Sequence, residues 1–278
     1  ELEMNSIYCV LTTILMWHDT STVEQLHQFF QNSGINPKTT QILLCSDKKV
    51  SQKEEIMKGI TALGYLQAEC IEEAVFPNAL QQLKEHCKGD YITFVDCRDK
   101  VSKQYYKICN EAIVAHKAMI AFSNKTLREK VVDPFTRSGT QENYLVDLEK
   151  EGDLFPISLL GTFLAKELFC KYEVESLSQF EWEKEFLMHL LLENRRILFI
   201  GEAEYHYNTP IEFNIRGFLG NKEEGWYTKY RSDFLLPLLK ETKAKYKEVP
   251  EFLQCFAMYL VDVRIQAIRK SRNEKYLD

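Results

Sequence analysis

The chain has 278 residues and a mass of 32.7 kDa, which suits one large α/β domain or two small ones. A content of 45% hydrophobic and 12% aromatic residues excludes a disordered chain, and only 11 Gly and 7 Pro exclude a collagen-like one. The formal net charge of −6 argues against a nucleic-acid partner, because such binders usually have a basic balance. A local site for a phosphorylated small molecule remains compatible with it.

Short β-type runs alternate with helical stretches through the first half. We expect helices over residues 22–30, 51–63, 78–87 and 103–115, and strands over residues 7–14, 41–45, 66–71, 91–95 and 118–122. The run Tyr91–Val95 is continuously apolar or β-branched, which is typical of a strand covered on both faces. This alternation predicts an α/β fold with a doubly wound, mostly parallel sheet, whose ligands bind beyond the carboxyl ends of the strands.

The second half is less regular. Residues 124–155 carry several turn signals and predict an irregular insert. Helices are expected at about 158–170 and 178–194, a late strand over Ile197–Gly201, and a mostly helical tail from Asp233. With no repeat or linker visible, we expect one domain over residues 1–232 and a helical C-terminal extension over 233–278 packed on it.

Eight cysteines are spread along the chain, and the closest pair, Cys87 and Cys97, is ten residues apart. Without a C-x-x-C pattern a zinc site is not expected. Apolar surroundings such as those of Cys45 favour buried, reduced thiols in a reducing compartment. The first residues also lack a signal-peptide pattern. A cytoplasmic protein is therefore expected.

Two carboxylates leave the end of the central predicted strand with an arginine between them, in Asp96–Cys97–Arg98–Asp99. Carboxylates at a strand end can hold a divalent metal or a ribose hydroxyl. An arginine there can neutralise a diphosphate with two parallel hydrogen bonds. The alternative is a solvated turn with ordinary turn acids.

This region resembles the nucleotide-sugar site of inverting family-2 glycosyltransferases, which have the GT-A (Rossmann-like) fold. The resemblance is carried by a helix end, a turn, a strand and an acidic exit, in the order Cys87–Lys88–Gly89, Asp90–Tyr91–Ile92, Phe94 and Asp96–Cys97–Arg98–Asp99. It implies that Asp96, Arg98 and Asp99 bind the donor and that Asp96 and Asp99 hold any metal.

A second set of segments is similar to the acceptor side of the same family. These segments are Gly161–Leu168, Phe180–Leu187, Asn194–Arg196 and Tyr205–His206–Tyr207. The resemblance implies that Glu183 is the catalytic base, and it places His206 in a segment next to the donor. Trp182 can stack on an acceptor sugar, with helix packing as the alternative.

The sequence departs from the family at several site positions. Arg98 stands where the family has its metal-binding aspartate, so Asp96 and Asp99 hold manganese or magnesium alone, Arg98 replaces the metal, or the site is inactive. Asp47 is the one carboxylate left where the family has a pair for the nucleoside. Thr13–Asp19 replaces the usual opening motif, and Asn208 replaces an arginine after Tyr205–His206–Tyr207.

Two functions follow from this resemblance. The first is an inverting transferase that moves a sugar from a nucleotide-diphosphate donor, expected to be a UDP-sugar, to a hydroxyl of a glycan or glycoprotein acceptor. The expected process is bacterial surface-polysaccharide or glycoprotein glycan synthesis on the cytoplasmic face of the membrane. The alternative is an inactive relative that serves as a binding or scaffold module of a larger glycosylation protein or complex.

The last predicted helix carries an apolar stripe. Its members recur at helical spacing and are Phe252, Phe256, Tyr259, Leu260, Val263 and Ala267. Four cations follow at the end of the helix: Arg264, Arg269, Lys270 and Arg272. We expect the stripe to pack on the domain, with a peripheral membrane contact or a partner helix as the alternative.

Overall fold

The computed structural model describes residues 11–65, 67–127, 130, 131, 135, 142–173, 177, 181–208 and 224–271. The start of the first predicted strand, part of the predicted insert, Phe180 and Arg272 lie outside these residues.

Strands and helices alternate through most of the described residues. The strands are β1 (Leu11–Met16), β2 (Thr40–Cys45), β3 (Gln67–Ile71), β4 (Tyr91–Asp96), β5 (Lys100–Val101), β6 (Ile120–Leu127), β7 (Lys130–Val131), β8 (Asn143–Asp147), β9 (Thr162–Ala165) and β10 (Arg196–Tyr207). The helices are α1 (Val23–Phe30), α2 (Lys53–Ala62), α3 (Ala79–His86), α4 (Tyr105–His116), α5 (Lys166–Lys171), α6 (Trp182–Glu193), α7 (Glu224–Lys229), α8 (Leu236–Tyr246) and α9 (Glu251–Ser271).

The first half of the sheet is parallel, as the alternating pattern predicts. Its four strands lie in the order β3-β2-β1-β4, and all three pairings between them are parallel. All six residues of β2 are buried, which is the pattern of a strand covered on both faces.

The second half of the sheet is mixed. Strand β9 lies between β4 and β6 and is antiparallel to both. Beyond β6, strand β10 is parallel to β6 but antiparallel to β5 and β8. The described residues of the predicted insert therefore include β7 and β8, and β8 pairs with β10.

The helix predicted over 158–170 is wrong in its first half. Gly161 has a positive φ of +68°, which glycine adopts without strain, and the chain then enters β9. The β-branched and aromatic residues of β9 suit a strand. Pairing with β4 and β6 outweighs the apolar spacing that indicates a helix here. Only Lys166–Lys171 is helical.

The C-terminal part of the chain is helical and contributes to the main core. A π-helical segment, Tyr230–Leu235, joins α7 to α8, and the expected boundary at residue 232 falls within it. The apolar side chains Phe252, Phe256 and Leu260 of α9 belong to the same core cluster as the sheet. Burial of this stripe is what the packing interpretation predicts. Across the described residues, no helix combines the length and apolar character that crossing a bilayer requires.

The cysteines of the described part are free thiols. Four of the seven are buried, namely Cys45, Cys87, Cys97 and Cys109. Burial raises the pKa of the Cys97 thiol to about 11, so it stays protonated.

A buried ionic cluster ties α9 to the start of α6. Arg264 donates to Glu181 Oε1 at 2.7 Å, and Lys184 donates to Glu181 Oε2 at 2.6 Å. The Arg264 guanidinium also lies 3.5 Å from the ring centroid of Tyr230 and 4.4 Å from that of Trp226. Burial raises the pKa of the Glu181 carboxyl, but the two cations outweigh it and hold that pKa below its usual value. Arg264 is therefore a buried structural residue rather than one of a solvated group of cations.

Replacing Arg264 with Met should lower the free energy of unfolding by about 3 kcal/mol, because the variant leaves a buried carboxylate with one partner fewer. Urea denaturation of both proteins measures the difference. Arg269→Met changes an exposed arginine of the same helix and should alter stability by less than about 0.5 kcal/mol. Equal stability of the two variants would contradict the structural role of Arg264.

Candidate functional site

The exits of three parallel strands meet at one edge of the sheet. Met16 at the end of β1 lies opposite Cys45 of β2 and Asp96 of β4. The residues that follow these strands therefore share the carboxyl edge, where α/β sheets bind ligands. His18, Asp47 and Asp96 are the charged or titratable members closest to those exits.

Asp96 and Arg98 form a bidentate ion pair. Arg98 Nε donates to Asp96 Oδ1 at 2.9 Å, and Nη2 donates to Oδ2 at 2.6 Å. The backbone N–H of Arg98 also donates to Oδ1 at 2.9 Å. His18 Nε2 lies 3.0 Å from Asp96 Oδ2 and 2.9 Å from Arg98 Nη2. The imidazole can accept from Arg98 when Nε2 is unprotonated and donate to Asp96 when it is protonated.

These contacts keep Asp96 ionised. Burial raises the pKa of this carboxyl, but hydrogen bonds from His18 and Arg98 and the charge of Arg98 outweigh it and lower the pKa to about 2. Both Asp96 oxygens therefore carry negative charge that is already matched by a guanidinium.

Asp99 is held by β10 rather than by solvent. Tyr205 donates its hydroxyl proton to Asp99 Oδ2 at 3.0 Å, and the N–H of Asn208 donates to Oδ1 at 2.8 Å. The same Tyr205 oxygen accepts the backbone N–H of Asp96 at 3.0 Å. Burial holds the pKa of Tyr205 well above its usual value, so the phenol keeps its proton. Tyr205 thus joins the two acids that leave β4.

Glu183 is anchored by the loop that precedes β9. Ser158 Oγ and the Leu159 N–H donate to Glu183 Oε1 at 2.7 and 2.6 Å. Lys125, buried on β6, donates to the carbonyl of Ser158 at 2.8 Å and thereby secures the same loop. No described residue hydrogen-bonds to the other oxygen of Glu183.

The loop that holds Glu183 also touches the acidic exit. The Gly161 N–H donates to the carbonyl of Phe94, two residues before Asp96, at 2.9 Å. A Cβ on Gly161 would lie 2.8 Å from Tyr205 Cδ2, so only glycine allows this approach. Glu183 and Asp96 are therefore fixed to neighbouring parts of one packed unit.

The remaining predicted site residues have other surroundings. Trp182 stacks on Phe76, with ring centroids 4.6 Å apart and planes at 11°, which supports its packing alternative. His206 Nδ1 lies 2.6 Å from Thr126 Oγ1, on the face of β10 opposite Tyr205. Asp47 is exposed, two residues after the end of β2. Their ligand roles stay predictions.

A cavity of about 330 Å³ opens beside the exits of β1 and β2. Trp17, Asp19, Ser46 and Val50 are among its lining residues. Its size suits a small ligand, and it is lined by Ser46, the neighbour of Asp47 in the chain.

Three residues of this site are missing from the sequence-based prediction. His18 has no metal-type spacing to other histidines, and a buried lysine such as Lys125 leaves no pattern. Tyr205 differs from these two because the sequence does carry a signal for it. The alternation of a strand places Tyr205 and Tyr207 on one face and His206 on the other. Recognising that β10 continues to Tyr207 would have selected Tyr205.

The predicted metal ligands do not fit a metal ion. Both oxygens of Asp96 are bound by Arg98, and both oxygens of Asp99 are bound by Tyr205 and Asn208. Over the part of the chain that the structure covers, no group of three or more His, Cys, Asp or Glu is arranged to hold a metal.

Similar solved structures share this architecture. TarS from S. aureus, a GT-A-like glycosyltransferase, matches 95% of this chain with a TM-score of 0.60 and 13% identity. The chain has a GT-A-like α/β fold. It spans 55% of that TarS chain, but 91% of the TarS 1–349 structure in complex with UDP-GlcNAc, which matches with a TM-score of 0.59 and 13% identity.

A mannosyltransferase from Pyrobaculum calidifontis, solved with GDP-Man and Mn²⁺, also matches the chain. It is 9% identical with a TM-score of 0.56, and the match covers 96% of this chain and 76% of that one. Neither a family model nor a curated protein matches the sequence. At these identities the matches establish the fold alone.

Asp96 should make stability depend on pH in the acid range. Its folded pKa of about 2 lies below the usual value of 3.8, so its contribution is present above that usual value and is lost as pH falls toward 2. The shift corresponds to about 2 kcal/mol. Urea unfolding of the wild type and of Asp96→Asn should therefore differ most near about pH 6 and least near about pH 2.

The matched control is Asp153→Asn, at an exposed position. It should change stability by less than about 0.5 kcal/mol at every pH. A wild-type advantage over Asp96→Asn that stays constant down to the lowest pH would contradict the depressed pKa of Asp96.

Proposed function

We propose that this protein is a glycosyltransferase that moves a sugar from a nucleotide-diphosphate donor to an acceptor hydroxyl with inversion. The observation that carries the proposal is the joining of two carboxylate groups by one packed unit at the carboxyl edge. Asp96 and Arg98 form one group, Glu183 is the other, and Tyr205 with the Gly161 loop holds them together.

The donor occupies the edge between β2 and β4. Its nucleoside enters the cavity beside Trp17 and Ser46, where Asp47 contacts the ribose or base. Its diphosphate lies toward Arg98. His206 is the further donor-binding residue, at the far side of the acidic exit. The complexes of neighbouring structures with UDP-GlcNAc, UDP and GDP-Man support a nucleotide-sugar donor, and the TarS complexes favour a UDP-sugar.

The reaction is a direct displacement at the anomeric carbon of the donor sugar. The acceptor oxygen forms a bond to that carbon while the bond from the carbon to the diphosphate oxygen breaks. The bonding electron pair leaves with the diphosphate, and the acceptor proton passes to a carboxylate. Attack from the face opposite the leaving group inverts the configuration.

Glu183 is suited to take that proton. One of its oxygens is fixed by two short hydrogen bonds, and no described residue hydrogen-bonds to the other. A base held in this way keeps its orientation, while its second oxygen stays available to accept a proton. Phe76 covers one face of Trp182, the preceding residue, so an acceptor sugar would have to stack on the other face.

We extend the proposal to the setting that the sequence resemblance implies. The acceptor is a hydroxyl of a glycan or glycoprotein, and synthesis takes place on the cytoplasmic side of a bacterial membrane. Residues 1–232 carry the donor and acceptor sites, and residues 233–278 support them from outside the sheet.

The first test is nucleotide binding. Calorimetric titration with UDP, UDP-GlcNAc and GDP-mannose should reveal binding of a uridine nucleotide. Asp47→Ala should weaken it by about 10-fold, because one hydrogen bond to the nucleoside is removed. Asp153→Ala should bind as the wild type does. Failure of all three ligands to bind would favour the scaffold alternative. The Asp96–Arg98 ion pair is the observation that favours that alternative, because it occupies the carboxylate that would otherwise bind a ligand.

The second test removes the base. Glu183→Gln should lower the rate at which UDP forms from a UDP-sugar, with water as the acceptor when no glycan is supplied. The expected loss is about 100-fold or more, because general-base catalysis typically contributes that much. Nucleotide affinity should stay unchanged. Glu193→Gln, at the other end of α6, is the matched control and should keep the wild-type rate. UDP formation at the wild-type rate by Glu183→Gln would exclude Glu183 as the base.

A further inference from the structure

We propose that the guanidinium of Arg98, locked onto Asp96 and His18, takes the place of a divalent cation, so that the donor diphosphate binds and leaves without a metal. This inference rests on the proposed function and specifies how its donor site works. The family that the sequence resembles has a metal-binding carboxylate at this position. In this chain the position carries a cation, which we assign to binding the diphosphate directly.

The first support is that the carboxylate is already saturated. Three donors from Arg98, namely Nε, Nη2 and the backbone N–H, reach the two oxygens of Asp96 within 2.9 Å. A metal would have to displace a bidentate ion pair in which Asp96 is 7% exposed. Pairs of this geometry are among the strongest hydrogen-bonded contacts in proteins.

The second support comes from Asp99, the other predicted metal ligand. Asp99 is buried, and its two oxygens accept hydrogen bonds from Tyr205 and Asn208. Freeing it would break the contact that joins β10 to the exit of β4. Among the described residues, His18 is then the side chain that could join Asp96 as a ligand. Two ligands fall short of the coordination that Mg²⁺ or Mn²⁺ requires.

The third support is that Arg98 keeps donors for a ligand. Its Nη1 group donates to no described residue, and the side chain is 22% exposed at the carboxyl edge. The ion pair fixes the plane of the guanidinium, so the remaining N–H groups have a set direction. The two N–H groups on Nη1 are the donors left for phosphate oxygens.

The charge balance also fits. A divalent cation on two carboxylates and a guanidinium on one carboxylate both form a neutral unit, and each directs its positive group toward the diphosphate. Arg98 would thus stabilise the charge that gathers on the leaving diphosphate. Because the guanidinium is part of the chain, no ion has to be recruited before the donor binds.

The experiment is calorimetric titration of UDP into the wild type, with EDTA and with added Mn²⁺. The affinity should be the same in both conditions. Arg98→Ala should bind UDP about 10- to 100-fold more weakly, as expected for losing a charge-assisted hydrogen bond, and Arg98→Lys should recover part of that loss. Arg196→Ala, an exposed arginine at the opposite end of β10, is the matched control and should bind normally.

A second variant guards against a folding defect. Arg98→Asp restores a carboxylate at this position, and its UDP affinity should become dependent on Mn²⁺ while circular dichroism matches the wild type. Wild-type UDP binding that EDTA abolishes and Mn²⁺ restores would overturn this inference and leave the proposed function standing. Absence of UDP binding by the wild type in both conditions would overturn both.

Discussion

The site depends on a single phenol oxygen. The Tyr205 hydroxyl accepts the N–H of Asp96 and donates to the carboxylate of Asp99, so a fully buried side chain of β10 fixes the turn that follows β4. A buried hydroxyl without such partners would lower the stability of the folded state. The fold is therefore favoured only when Tyr205 meets both Asp96 and Asp99. Because the ring also packs against Gly161, the same residue sets the distance between the acidic exit and the loop that holds Glu183.

The buried charges described at this edge are either paired with an opposite charge or hydrogen-bonded to neutral groups. Asp96 is neutralised by Arg98, and Lys125 inside the sheet is surrounded by the carbonyl of Ser158 and the hydroxyl of Thr162. An isolated buried charge would be expensive, whereas a paired and hydrogen-bonded one holds its neighbours in a defined geometry. A site assembled in this way has little freedom to rearrange, which suits the fixed positioning that the proposed displacement at a sugar carbon requires.

Local pattern predicted the fold well where one strand follows one helix. The runs that became β2 and β4 are apolar, short and bounded by turn residues, and no other element type fits them. Prediction failed where pairing decides structure. Strand β9 has only four residues and owes its conformation to β4 and β6 on either side. Among the candidate site residues, sequence pattern singled out the Asp96–Asp99 exit and the family resemblance singled out Glu183, and their roles stay predictions. Sequence pattern could not show that Arg98 turns back onto Asp96, or that His18, 78 positions away from Asp96 along the chain, joins them.

The C-terminal helix is tied to the same site through the polypeptide itself. Arg264 of α9 binds Glu181, and Glu181 stands two residues before Glu183 at the start of α6. Lys184 completes the cluster from the first turn of that helix. Two sets of contacts therefore position the proposed base. The Ser158 loop holds its carboxylate, and the Arg264–Glu181–Lys184 cluster holds the turn of the chain in which it lies. A helix that sequence pattern treats as an appendage thus shares the task of placing Glu183, since a rotation of the first turn of α6 would strain both contacts at once.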